Sequence, residues 1–135
     1  MKKLVFISMI ISVLAAGIVF SARAQDNTDG FLIKRLTVAT GIENREPVGA
    51  GDSFPINTPK VYCFLETVDI EQDTNVIFVW IYEGKEISQA SLALKSGSRW
   101  RTRAEKTLHG LAGVWKIEIR NEAGQALKDI SFTVE

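Results

Sequence analysis

In the segment GVWKIEIR, from Gly113 to Arg120, the apolar Trp115, Ile117 and Ile119 alternate with Lys116, Glu118 and Arg120. A period of two places the two sets on opposite faces of an extended strand, so the first belongs against a core and the second in water. From Phe31 onward the apolar residues mostly keep this period, and no window carries a helical stripe. The chain is therefore expected to be all-β.

Turn chemistry divides the rest into strands. LIKRLTVATGIE forms a first strand that is expected to stop at Pro47, which has no N–H for a ladder, and the glycines and prolines of VGAGDSFPINTPK make a loop. VYCFLETV is the second strand, followed by the turn EQDTN. VIFVWIY, the third, is apolar on both faces: Val76, Phe78, Trp80 and Tyr82 on one, Ile77, Val79 and Ile81 on the other. Such a strand is central or has its outer face covered. EGK turns into EISQASLALK, with Gly84 able to supply the positive φ of a hairpin loop. RWRTRA, GVWKIEIR and ALKDISFTVE complete about seven strands, a number and spacing that fit an immunoglobulin-like β-sandwich with Trp80 and Trp115 in its core.

The N-terminal residues have a different character. Lys2 and Lys3 precede an uncharged run from Leu4 to Phe20, and Ala22-Arg23-Ala24 has the small-x-small pattern read by signal peptidases. Residues 1–24 are thus expected to be an export signal and residues 25–135 a single sandwich domain in the periplasm or secreted, with membrane attachment only if the N-terminal segment stays uncleaved. Loss of Lys2, Lys3 and Arg23 leaves 13 of the 16 basic residues against 16 acidic ones, a net charge of −3 by count. A weakly acidic exported domain is a poor partner for nucleic acid. Cys63 is the sole cysteine, so no internal disulfide can form and stability must come from packing.

Enzymatic chemistry has little material. His109, the single histidine, falls in the turn TLHGLAG with no carboxylate placed beside it, and Cys63 lies between Tyr62 and Phe64 inside a strand, the setting of an inert buried thiol. One histidine and one cysteine cannot close a zinc site, and EQDTN lacks the glycine and ligand count of a calcium loop. No catalytic residue, metal or cofactor is expected.

Two surfaces remain. In SRWRTR, Arg99, Arg101 and Arg103 recur at every second position around Trp100. If Trp100 faces the core, the three arginines share the outer face, where pairing with the second strand sets them beside Tyr62 and Phe64, with Glu66 nearby. Arginine planes stack on aromatic faces, either as cover for an apolar surface or as a binding patch for a planar, acidic or saccharide ligand or a protein. The second surface is the row Ile77, Val79 and Ile81, which would favour self-association if left exposed. In GIENREP, Arg45 either presents a charged binding edge or pairs with a carboxylate in a structural knot built on an Asn44 turn.

TGIENREPV from Thr40 to Val48, Trp80 followed by EGKE, RWRTRAEK from Arg99 to Lys106, and GVWKIEIRNEAGQAL with a later Phe132 together resemble a bacterial family, domain of unknown function family 2914. The family pattern often has a histidine two residues before the tryptophan, where this chain has Phe78. The resemblance implies a compact β domain of exported or membrane-associated proteins with no established activity. Taken together, these features lead to the expectation of a non-enzymatic binding module of the cell envelope, acting through a sheet face on an envelope protein or a second copy. The alternative is a small-ligand or carbohydrate-binding domain that uses the arginine-aromatic face.

Overall fold

The computed structural model describes residues 29–135, so the expected export signal lies outside the described residues. Nine strands follow one another: β1 Leu32–Glu43, β2 Glu46–Ala50, β3 Ser53–Phe54, β4 Lys60–Ile70, β5 Thr74–Tyr82, β6 Lys85–Leu94, β7 Gly97–Thr107, β8 Gly113–Arg120 and β9 Ala126–Val134. They form a four-stranded sheet in the order β2-β1-β4-β7 and a five-stranded sheet in the order β3-β9-β8-β5-β6. All pairings are antiparallel except the short contact of β3 with β9.

Alternation decides what lies between the sheets. Val38, Val61, Cys63 and Leu65 from one sheet meet Val76, Phe78, Trp80, Trp115, Ile117, Ile119 and Phe132 from the other, all buried. Trp115 packs between Tyr82 and Phe132, with ring centroids 4.8 and 5.9 Å away, and its indole N–H donates to the Leu111 carbonyl at 3.0 Å. Burial with a satisfied polar group lets a tryptophan contribute its full apolar area.

The expected seven strands are all present, and two more occupy the segment read as a loop. Pro47 does not end pairing but sits in β2, opposite Ile42. The two-residue turn Asn44-Arg45 makes Glu43 and Glu46 the hydrogen-bonded pair, so Pro47 falls in the next, non-bonded pair with its nitrogen pointing away from β1. An edge strand tolerates the missing donor there. Glu83 and Gly84, both at positive φ, form the expected turn between β5 and β6.

Gly113, ahead of Trp115, has φ +132, and a Cβ there would collide with the Glu83 carboxylate, which accepts the Val114 N–H at 2.7 Å. The glycine lets that turn reach across and bind the start of β8. The GxW spacing thus has a local cause.

Candidate functional site

β1 does not run straight. Its first half pairs with β4 as far as Ala39, opposite Tyr62, and its second half pairs with β2, closing on Glu43 opposite Glu46. Eight residues of straight strand would separate Arg35 from Glu43 by roughly 26 Å. Yet the Arg35 guanidinium holds the Glu46 carboxylate in a bidentate grip, 2.9 and 3.0 Å. The β1–β2 hairpin must therefore fold back over the outer face of the four-stranded sheet, carrying its turn across β4 toward β7.

Under this hairpin lies a closed charge network with one member from each strand. Arg35 of β1 donates through Nε and Nη2 to Oε1 of Glu66 on β4, at 2.9 and 2.7 Å. Arg101 of β7 reaches Glu46 of β2 at 3.3 Å and stands 3.8 Å from Glu66, an ion pair too long for a hydrogen bond. Glu66 is 1 % exposed, and its Oε2, like the Nε of Arg101, has no hydrogen-bond partner among the described residues. The hydrogen bond from Arg35 holds the Glu46 carboxyl below its ordinary value. That pairing is complete above the unfolded carboxylate range, about pH 4.3, and is lost as acid protonates Glu46 in the folded chain.

The residues expected to bind come together here, with altered roles. Arg99, Arg101 and Arg103 do lie opposite Val68, Glu66 and Phe64 on the outer face. Arg103 stands over Tyr62 at 5.7 Å, with Lys60 over the same ring at 5.4 Å, while Phe64 is covered by Arg35 at 4.9 Å. Phe64 is buried and cannot offer its ring to a ligand. Arg101 is occupied by the network, leaving Arg99 and Arg103 exposed.

Arg45 joins them. Among the described residues it makes no ion pair, unlike the reading of GIENREP as a knot around Arg45; the arginine that pairs with the Glu46 carboxylate is Arg35. Together with Arg99, Trp100 and Arg101, Arg45 lines a cleft of about 490 Å³, and with Ile42, Phe64, Arg101, Thr102 and Arg103 a second of about 250 Å³. Both Asn44 and Arg45 have left-handed backbone, φ 50 and 61. Asparagine accepts that conformation readily, whereas a long side chain at the second turn position, where glycine is preferred, is strained. Glu46 is one of the GIENREP charges that the sequence singles out, but its partner Arg35 and the placement of Arg45 are not legible there, because nothing in local alternation signals a fold-back.

Trp100 is also not where a core tryptophan would be. It shares the inward face of β7 with Ala104, yet on this edge strand it is 36 % exposed. Trp100→Ala is accordingly expected to lower stability by about 2 kcal/mol in chemical denaturation, roughly half the loss for a fully buried indole.

The row Ile77, Val79 and Ile81 is not an open apolar face. β5 is central, and Val79 is fully buried between Gln89 of β6 and Glu118 of β8, while Ile77 and Ile81 are half-buried. Arg120 ties Glu118 (2.8 Å) to Glu86 (3.5 Å) on the same face. Their aliphatic stems cover the row and leave charged heads in water.

Cys63 is buried in the core, and burial pushes its thiol up, away from the reactive thiolate. His109 sits exposed in the turn after the far end of β7. Among the described residues no group of three or more His, Cys, Asp or Glu side chains is arranged to hold a metal. In the EQDTN turn, Asp73 accepts the Ser96 N–H at 2.8 Å and lies 3.9 Å from Lys95.

An immunoglobulin-like protein from Pseudomonas aeruginosa has a similar fold, with a TM-score of 0.54 and 14 % identity over 85 % of this chain and all of that one. Beta-D-glucoside glucohydrolase from Trichoderma reesei is similar over 78 % of this chain, at a TM-score of 0.51 and 12 % identity, but this chain matches only 19 % of that enzyme's length. At such identities the likeness is one of fold. No curated protein sequence matches the chain. Residues 73–134, from the turn before β5 almost to the end of β9, match the model of the family described as "Protein of unknown function (DUF2914)".

Proposed function

We propose that the chain is a non-enzymatic binding module of the bacterial cell envelope that receives anionic groups of a protein partner in the clefts between the β1–β2 turn and β7. The observation that carries this reading is the convergence of Arg45, Arg99 and Arg103, none with a carboxylate within 4 Å among the described residues, beside a partly exposed tryptophan. Arginine and tryptophan are the side chains most enriched where binding energy concentrates. The lining is arginine, tryptophan, threonine, isoleucine and phenylalanine, and the Thr102 hydroxyl has no histidine, carboxylate, lysine or cysteine among these lining residues to activate it. Export rests on the Lys2-Lys3, apolar-run and Ala22-Arg23-Ala24 pattern. An anionic saccharide is the second reading, favoured by the open Trp100 face next to Arg99.

Arg45→Gly separates binding from folding. Glycine removes the guanidinium and also the left-handed strain, so stability should stay level or rise by up to about 1 kcal/mol. Crosslinking in intact cells followed by mass spectrometry should then show the partner's crosslinks reduced. Full retention of every crosslink would mean that the clefts are not the binding site.

A further inference from the structure

Among the described residues β7 is the last strand of its sheet, and along its eleven residues none of them pairs with the side away from β4. A long open edge of this kind is a template for another strand. Trp100 turns its carbonyl toward β4, where it accepts from the Thr67 hydroxyl at 3.2 Å. Antiparallel alternation then points the backbone N–H and C=O groups of Arg99, Arg101 and Arg103 outward.

The clefts follow that edge. One is lined by Arg99, Trp100 and Arg101 and the other by Arg101, Thr102 and Arg103, consecutive residues whose side chains lie on both faces of the strand. The second also takes in Ile42 and Phe64, so it reaches from the outer face beneath the hairpin to the β7 backbone. Arg45 borders both.

We infer that an extended acidic segment of a partner protein adds to the sheet along β7, pairing with the backbone of Arg99–Arg103. Its side chains alternate. Acidic residues at every second position meet Arg45, Arg99 and Arg103 on the outer face, and apolar residues between them meet Trp100 on the inner side. A second copy is the wrong occupant, because antiparallel β7–β7 pairing about Arg101 sets arginine against arginine. This inference rests on the anion-binding reading above and adds the strand geometry to it.

The test uses a short fluorescent peptide that alternates glutamate with valine, and its two versions with N-methyl groups on one or the other alternating set of amides. The unmodified peptide should bind to the exported chain, and one methylated version should lose binding while the other keeps it, since an added strand bonds through one edge only. Arg45→Ala combined with Arg99→Ala should weaken binding by about tenfold or more. Amide hydrogen exchange on peptide binding should slow at Arg99, Arg101 and Arg103, and not at Trp100 or Thr102. Equal binding of both methylated peptides, or full displacement by inorganic phosphate with no change in exchange at β7, overturns strand addition and leaves an isolated-anion site. No binding of peptide or phosphate overturns the anion-binding reading along with it.

Discussion

Trp115→Ala should lower the free energy of unfolding by about 4 kcal/mol, measured by chemical denaturation of the purified domain. The indole is fully buried, stacked on Phe132 and tilted against Tyr82, and its N–H satisfies the Leu111 carbonyl. Removing it opens a cavity that the two aromatic neighbours cannot fill without leaving their own contacts, and it leaves the Leu111 carbonyl without that donor. A domain of this size has a total stability of roughly 5 to 15 kcal/mol, so the variant should lose a large fraction of it. A loss of under about 1.5 kcal/mol would show that this part of the core collapses easily around the gap.

The second large effect is expected at Glu66. Glu66→Gln keeps the volume and removes the charge that Arg35 grips through two nitrogens. The cost should be about 2 to 3 kcal/mol, because a guanidinium drawn over a buried site loses its strongest acceptor and the amide introduces donors with no acceptor prepared for them. The Glu46 grip on Arg35 survives, which keeps the loss below that of a fully orphaned buried charge. Glu66→Leu combined with Arg35→Met should recover most of the stability, since a whole buried ion pair can be exchanged for apolar packing at little cost. Parallel loss of partner crosslinks in the combined variant would show that the network matters for where it holds the hairpin, and hence Arg45, as well as for stability.

Local alternation carried the sequence a long way. GVWKIEIR assigned Trp115, Ile117 and Ile119 to the core and VIFVWIY to a central strand because side-chain direction in a strand depends only on position parity. The pairing of VYCFLETV with RWRTRA, and the arginines on the outer face opposite Phe64, follow from the same parity once the sandwich is assumed. Parity says nothing about how deeply a position is covered, so Trp100 reads as a core residue and is instead partly exposed on an edge strand. It is equally silent about what crosses an outer face.

For that reason Ile77, Val79 and Ile81 read as a sticky row, although Glu118, Arg120 and Glu86 close over it, and Pro47 read as a strand end, although an edge position turns its nitrogen away from the ladder. The sequence by itself determined the all-β class, the strand periods and which face of each strand is apolar, because these depend on neighbours a few residues apart. Only the tertiary structure decided that the β1–β2 hairpin folds back, that Arg35, Glu46, Glu66 and Arg101 close one network, and that Arg45 arrives beside Arg99 at an open strand edge. Those contacts join residues from four strands, and their free energy exists only when the chain has brought them together.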